Sequence, residues 1–177
     1  MNNVNQINLI PFRIVDKTLL EMLRYETSNI FACRVQLKEA RTELGQFFDG
    51  SRRQYNADQL LQMVDQKYGQ ENTKTAGLFQ VDLFIPILTY IFGQAYLNGR
   101  TAVASGYRLA NERYGIKSEQ SVYYNRFLKE VVHELGHNFG LIHCRNIGCV
   151  MQASTYVEDI DLKNADFCPT CRRQLEQ

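Results

Sequence analysis

All three histidines of this 177-residue chain fall within eleven residues, at His133, His137 and His143. Histidines scattered at random would show this +4, +10 spacing about once in 5,400 placements, so the cluster is no accident of composition. It also limits the fold. Residues four apart share one face of a helix, so His133 and His137 can converge on one ion if a helix runs through both. His143 lies three residues past Gly140 and is out of reach of that same helix. The chain must turn sharply between them, and glycine is the residue that accepts the positive φ of such a turn.

The segment His133-Glu134-Leu135-Gly136-His137-Asn138-Phe139-Gly140-Leu141-Ile142-His143 matches the long zinc-peptidase motif H-E-x-x-H-x-x-G-x-x-H. Three neutral histidines leave a fourth position open for water, the arrangement of a catalytic zinc. Zinc lowers the pKa of its bound water to about 7. Glu134 follows a ligand directly and can reach that water without binding the metal. It reads as the general base that takes the proton and delivers it to the departing amine. The zinc would polarise the scissile carbonyl and stabilise the oxyanion. A surface helix with incidental histidines is the competing reading, and the full motif disfavours it.

Four of the five cysteines follow closely. Cys144 and Cys149 form C-x4-C, and Cys168 and Cys171 form C-x2-C with Pro169 in the knuckle. Two such pairs across an intervening loop fit a tetrahedral structural zinc. Disulfides and an iron–sulfur cluster are the alternatives. Cys33 stands alone in an alternating segment and reads as a small buried apolar residue. Met151, eight residues after His143, is similar to the Met-turn methionine that forms an apolar floor beneath a catalytic metal.

Twenty Lys and Arg against nineteen Asp and Glu give a net charge of +1. That lacks the electrostatic footprint of a phosphate-neutralising protein, so no nucleic-acid partner is expected. No apolar run reaches the roughly 18 residues of a membrane span. Met1 to Gln6 has neither a basic n-region nor a long apolar run and does not read as a signal peptide. A soluble, cytoplasmic protein is expected, where clustered cysteines are more often metal ligands than disulfides.

Upstream of the motif, strands and helices alternate. Strand candidates are Ile7 and Leu9 before Pro11, Phe31–Leu37 with its period of two, Leu78–Val81, Tyr90–Phe92 and Thr101–Ser105. Asp16 can cap a helix carrying Leu19, Leu20, Met22 and Leu23. A second helix is expected over Ala57–Tyr68, stopped by Gly69, and a third from about Ser118 to Phe139, ended by Gly140. Strands separated by helices suggest an α/β protein with a twisted, mostly parallel sheet. The tail after Gly140 has few apolar residues in a regular pattern and needs a staple, which a metal could provide.

Taken together, H-E-L-G-H-N-F-G-L-I-H-C-R-N-I-G-C-V-M followed by C-P-T-C resembles the archaemetzincins. These are metzincin-type zinc peptidases that couple a three-histidine site to four downstream cysteines in this order. The motif resemblance covers residues 133–171, while Arg52-Arg53-Gln54-Tyr55 and Val81-Asp82-Leu83-Phe84 look like family segments without derivable chemistry. The resemblance implies a metzincin-like α+β architecture. Residues 1–140 would form an N-terminal subdomain with a mainly parallel five-stranded sheet, ending in the active-site helix. Residues 141–177 would form a small zinc-stapled C-terminal subdomain with His143, the Met-turn and the four cysteines.

The resemblance also implies two zinc ions per chain, one on the three histidines and one on the four cysteines. By analogy, the segment around Tyr90–Gln94 would be an edge strand holding substrate by β-augmentation. The expected substrate is a peptide or unfolded protein segment and the expected state is a monomer. The residues leave aminopeptidase and endopeptidase both open. From another class, a non-catalytic zinc-binding interaction protein using the four-cysteine lobe is the alternative, which the intact Glu134 disfavours.

Overall fold

The computed structural model describes residues 4 and 6–176. Most of the Met1–Gln6 segment assessed for a signal peptide therefore lies outside the described residues. A five-stranded sheet has the order β2-β1-β5-β8-β7. Its strands are β1 (Gln6–Pro11), β2 (Arg34–Leu37), β5 (Thr73–Phe79), β7 (Gly93–Ala95) and β8 (Thr101–Ser105). The first four in spatial order are mutually parallel, and the edge strand β7 runs antiparallel to β8. A smaller sheet joins β3 (Phe48–Asp49), β4 (Gln54–Asn56) and β6 (Leu83–Phe84).

Parallel strands reached by helical crossovers are covered on both faces, and the alternation of side chains shows which helix covers which. Ile7, Leu9, Ala76, Leu78, Ala102 and Ala104 face the main core, with α1 (Lys17–Phe31) and α3 (Gln120–Asn138) above them. Ile10, Phe79 and Val103 point the other way, onto Leu60, Leu61 and Val64 of α2 (Ala57–Tyr68). The Asp16 carboxylate caps α1 by accepting from the Leu19 N–H at 3.1 Å, and Asn56 does the same for α2 through Gln59 N–H at 3.2 Å. Two short helices, α4 (Val157–Leu162) and α5 (Pro169–Leu175), complete the chain. Among the described residues no helix is long and apolar enough to cross a membrane.

The sheet has the expected strand count, but three boundaries differ from expectation. The strand expected at Leu78–Val81 begins at Thr73, because Thr73, Lys74 and Thr75 are buried despite being polar. Lys74 tolerates this by donating to Gly99 O at 2.7 Å and Asn138 O at 2.8 Å. The strand expected from Phe31 starts at Arg34: α1 runs on through Phe31 and stops at Ala32, which takes a left-handed φ of 49°. Cys33 therefore sits in the bend rather than in a strand. It is half-buried against the main core, and burial pushes its thiol up to about 11. The strand expected at Tyr90–Phe92 is displaced to Gly93–Ala95, and Ile91 instead bridges Leu83 of the small sheet. The tail also supplies more core than expected, with Val150, Met151, Val157, Ile160 and Phe167 buried in the main cluster.

The end of α3 is tied to the sheet by Asn138, whose amide donates to Thr101 O at 2.8 Å and Tyr96 O at 3.0 Å. Asn138→Ala should lower the unfolding free energy by about 1–3 kcal/mol, because both carbonyls lose a buried donor. Urea denaturation with an unchanged slope is the check. A loss within about 0.5 kcal/mol would mean that the helix end is held elsewhere.

Candidate active site

Helix α3 brings His133, Glu134 and His137 to its C-terminal turns and then stops abruptly. Gly140 has φ +89°. Its N–H reaches His137 O at 3.0 Å, and the Leu141 N–H reaches back to Gly136 O at 3.0 Å. Those two bonds are the Schellman pattern, which reverses the chain and satisfies the last helical carbonyls. Leu141, 2% exposed, anchors the reversed chain in the core. From there His143 returns to the face occupied by the other two histidines, with ring centroids 5.3 Å from His133 and 5.0 Å from His137.

The reversed chain also sets the tautomers. His133 Nδ1–H donates to Val150 O at 2.8 Å, and His137 Nδ1–H donates to Leu141 O at 2.7 Å. Each bond leaves the Nε2 lone pair free, and the two Nε2 atoms lie 3.2 Å apart. Lone pairs at that distance repel unless a cation lies between them. Tetrahedral zinc with bonds of 2.0–2.1 Å requires a nitrogen separation of about 3.3 Å, so the donor set fits. Burial lowers the pKa of all three histidines, most strongly for His133, which favours the neutral, ligating form. Burial and the neighbouring Glu130 push Glu134 well above the usual carboxylate range, opposed by Lys163.

Met151 is fully buried, and a Cβ added at Gly136 would overlap its sulfur. The methionine therefore packs directly beneath the helical turn between His133 and His137.

The cysteines form a separate cluster. Sγ atoms of Cys144 and Cys168 are 3.8 Å apart, as are those of Cys149 and Cys171. A disulfide needs about 2.05 Å, whereas tetrahedral zinc with 2.3 Å bonds to sulfur sets the S···S edge at about 3.8 Å. The Cys171 backbone N–H and the Asn146 amide help pull the Cys168 thiol down to about 6, favouring thiolate. Asn146 Nδ2 donates to Cys168 Sγ at 3.1 Å. The two clusters share backbone: Cys144 N–H donates to Met151 O at 2.9 Å, and Val150, whose carbonyl holds His133, follows Cys149 directly.

Every residue expected at the two centres is brought to one or the other, and Tyr90, Ile91, Phe92, Gly93 and Gln94 line the cleft beside the histidines. Lys163 and Glu130 also line it and were not anticipated. Lys163 lies twenty residues past the motif and carries no spacing that distinguishes it from a surface lysine.

The family model described as Peptidase family M54 matches residues 4–177. The chain belongs to this family. It is a metallopeptidase, a hydrolase. An archaemetzincin from Haloquadratum walsbyi is 40% identical over 149 residues, covering 82% of this chain and 85% of that protein. The crystal structure of an archaemetzincin from Methanopyrus kandleri superposes with a TM-score of 0.84 at 32% identity, covering 99% of this chain and 97% of the other. That of a zinc-dependent peptidase from Methanocorpusculum labreanum gives 0.82 at 30% identity, covering 96% and 99%.

The packing of Met151 against Gly136 makes this M54 site sensitive to one methyl group. Gly136→Ala should cost about 1–3 kcal/mol through overpacking and weaken metal retention at the histidines by displacing Met151. Thermal melts and a chelator titration check both effects. A variant with wild-type stability and metal retention would show that Met151 does not brace the helix here.

Proposed function

We propose that the chain is a zinc-dependent peptidase in which His133, His137 and His143 hold a catalytic zinc and Glu134 is the general base. The convergence of three neutral imidazoles, with Nδ1 committed elsewhere on two of them, beside a buried carboxyl group carries this reading. Bound there, zinc would supply a Lewis acid for the scissile carbonyl and an acidified water as nucleophile.

Glu134 removes a proton from the attacking water and returns it to the departing amine. Burial raises the Glu134 pKa above the usual carboxylate range, which eases its taking up a proton before passing it on. The edge strand β7 has its outer side unpaired within the five-stranded sheet and offers backbone groups on which an extended peptide can be laid beside the cleft. Residues 1–140 would form one side of that cleft and residues 141–177 the other. Cys144, Cys149, Cys168 and Cys171 would hold a second, structural zinc, which suits a reducing compartment such as the cytoplasm. The substrate is a peptide or an unfolded protein segment.

Glu134→Gln should lower peptidase activity at least about 10²–10⁴-fold while keeping zinc at the wild-type level. The amide fills nearly the same volume but accepts no proton. Cleavage at the wild-type rate in this variant would refute the mechanism.

Elemental analysis should give two zinc ions per chain, and the shared backbone predicts that the sites are coupled. Cys168→Ser leaves all three histidines and Glu134 intact but loosens the segment supplying the Val150 and Met151 carbonyls. Loss of supporting interactions around metal ligands typically costs about 10–100-fold in metal affinity. The catalytic zinc of Cys168→Ser should therefore be stripped by correspondingly less chelator. Unchanged affinity after loss of the structural zinc would make the two sites independent.

A further inference from the structure

Residues 52–55 and 81–84, the two upstream segments left without chemistry by the sequence, meet at the small sheet. Tyr55 pairs with Leu83 and Asn56 with Phe84 in parallel register, and the Tyr55 N–H donates to Asp82 O at 2.8 Å. Their side chains form one continuous set of hydrogen bonds. Arg52 Nε donates to Gln54 Oε1 at 3.2 Å, and Gln54 Nε2 donates to Asp82 Oδ2 at 3.1 Å. Asp82 also receives both arms of Arg108, at 2.5 and 2.6 Å.

The set ends on the irregular segment beside the cleft. Arg52 Nη2 donates to Leu88 O at 2.8 Å and Thr89 O at 3.2 Å, and Gln54 gives a second N–H to Thr89 O at 2.9 Å. The Arg108 guanidinium lies 4.0 Å from the centroid of the Tyr90 ring, whose hydroxyl donates to Thr155 O at 3.0 Å. Residues 85–90 have no strand or helix of their own, so these bonds replace a ladder in fixing them. The carbonyls are held inward, while Ile87 and Leu88 point out, 85% and 49% exposed.

Single exposed aliphatic residues are ordinary, but Leu88 differs in its place. It lines both cavities beside the histidines, each of about 440 Å³, and both cavities also touch His133, Glu134 and His143. Leu88 therefore stands where the two cavities meet, above the reacting groups and open to a ligand. We propose that Leu88 contacts the substrate, lying against an apolar side chain next to the cleaved bond. Arg52, braced by Gln54, is the positioning residue that holds it there. The proposal rests on the peptidase reading above. The apolar occupant follows from the walls around Leu88, which include Ile85, Ile91, Leu97 and Ile142, because contact there removes apolar surface of both partners from water. Holding the loop in place beforehand spares the peptide the cost of ordering it.

An interaction of this kind binds substrate and transition state alike, so its loss raises KM and leaves kcat in place. Free-ended octapeptide libraries read by mass spectrometry supply the best substrate of the zinc-loaded wild type. Kinetics on that peptide then compare Arg52→Met, Arg52→Lys, Leu88→Ala and the double variant Arg52→Met/Leu88→Ala. Arg52→Met keeps an unbranched apolar stem near Phe84, over whose ring the guanidinium lies, but removes every donor. Its KM should rise about tenfold, the order expected for losing charged hydrogen bonds, with kcat within about twofold. Arg52→Lys keeps a donor for Leu88 O and should recover part of the loss. Leu88→Ala should raise KM by a similar factor and weaken the preference for apolar residues at one flanking position. Because Arg52 acts through Leu88, the two increases should not multiply in the double variant. Calorimetric titration of the same peptide into Glu134→Gln, with and without Arg52→Met, should show the same loss of affinity.

Unchanged KM in Arg52→Met or in Leu88→Ala, or increases that multiply in the double variant, would overturn the proposal. If Arg52→Met does not fold, Leu88→Ala and Arg52→Lys decide, since one removes only exposed surface and the other keeps the charge. If the wild type cleaves nothing, the peptidase reading fails separately. An octapeptide of Ala and Leu is then titrated into zinc-loaded wild type and Leu88→Ala. Weaker binding to Leu88→Ala supports the contact, and equal binding or none overturns it.

Discussion

Two hydrogen bonds from imidazole N–H groups to backbone carbonyls organise the site. His133 is held by Val150 O and His137 by Leu141 O, and both carbonyls come from chain that has already left the helix. A helix alone would place the two rings on one face but leave each free to rotate and to change tautomer. The reversal at Gly140 brings Leu141 back within 3.0 Å of Gly136 O. It also starts the path that carries His143, then Val150 and Met151, under the same turns. One glycine in a left-handed conformation therefore sets the direction of the third histidine and the tautomers of the first two.

The segment that performs this has little regular structure of its own between Leu141 and Tyr156, so its order comes from outside. Side-chain bonds from α3 to the region of α4 provide part of it. Arg126 pairs with Asp161 at 2.6 Å, and Lys129 donates to Ile160 O at 3.0 Å. Lys163 reaches back to Glu130. Three charged residues are thus buried on one helix, each facing α4 or the residue that ends it. At the far end Phe31, Phe139 and Phe167 pack together, with centroids 5.1 and 5.4 Å from Phe31. Arg172 of α5 donates to the Ile30 carbonyl at the end of α1. The lobe is fastened at both ends to helices that belong to the sheet.

Much of the site was legible in the sequence because its geometry is local. Spacings of four residues on a helix, a glycine at the turn and paired cysteines each translate into one arrangement. The fold was legible where apolar periodicity is clean, as in Ala57–Tyr68. It was obscured where tertiary partners override local pattern. Thr73 to Thr75 look unlike a central strand, and only the carbonyls of Gly99 and Asn138 around Lys74 make that burial tolerable. The β3–β4–β6 sheet has strands of two or three residues, too short for any period to register. Glu130 and Lys163 meet through the packing of α3 against the end of α4, and no spacing in the sequence encodes that contact.

The two ligand clusters also bear on why the lobe folds. Two Nε2 lone pairs 3.2 Å apart and four sulfurs within 4.8 Å of one another are arrangements that uncompensated chemistry resists. Their mutual repulsion, together with the burial of His133 and Glu134, opposes folding of the bare chain. A cation in each cluster would reverse the sign, because the deprotonated donors would then become its ligands and its binding free energy would count as folding free energy. Burial that disfavours charge on the histidines works in the same direction, since a proton and a metal compete for the same lone pair. The features that make the lobe costly without metal are therefore those that would suit it to hold one. The backbone common to Cys144, Cys149, Val150 and Met151 would make that cost a joint one, so that the three histidines would depend on thiolates they never touch.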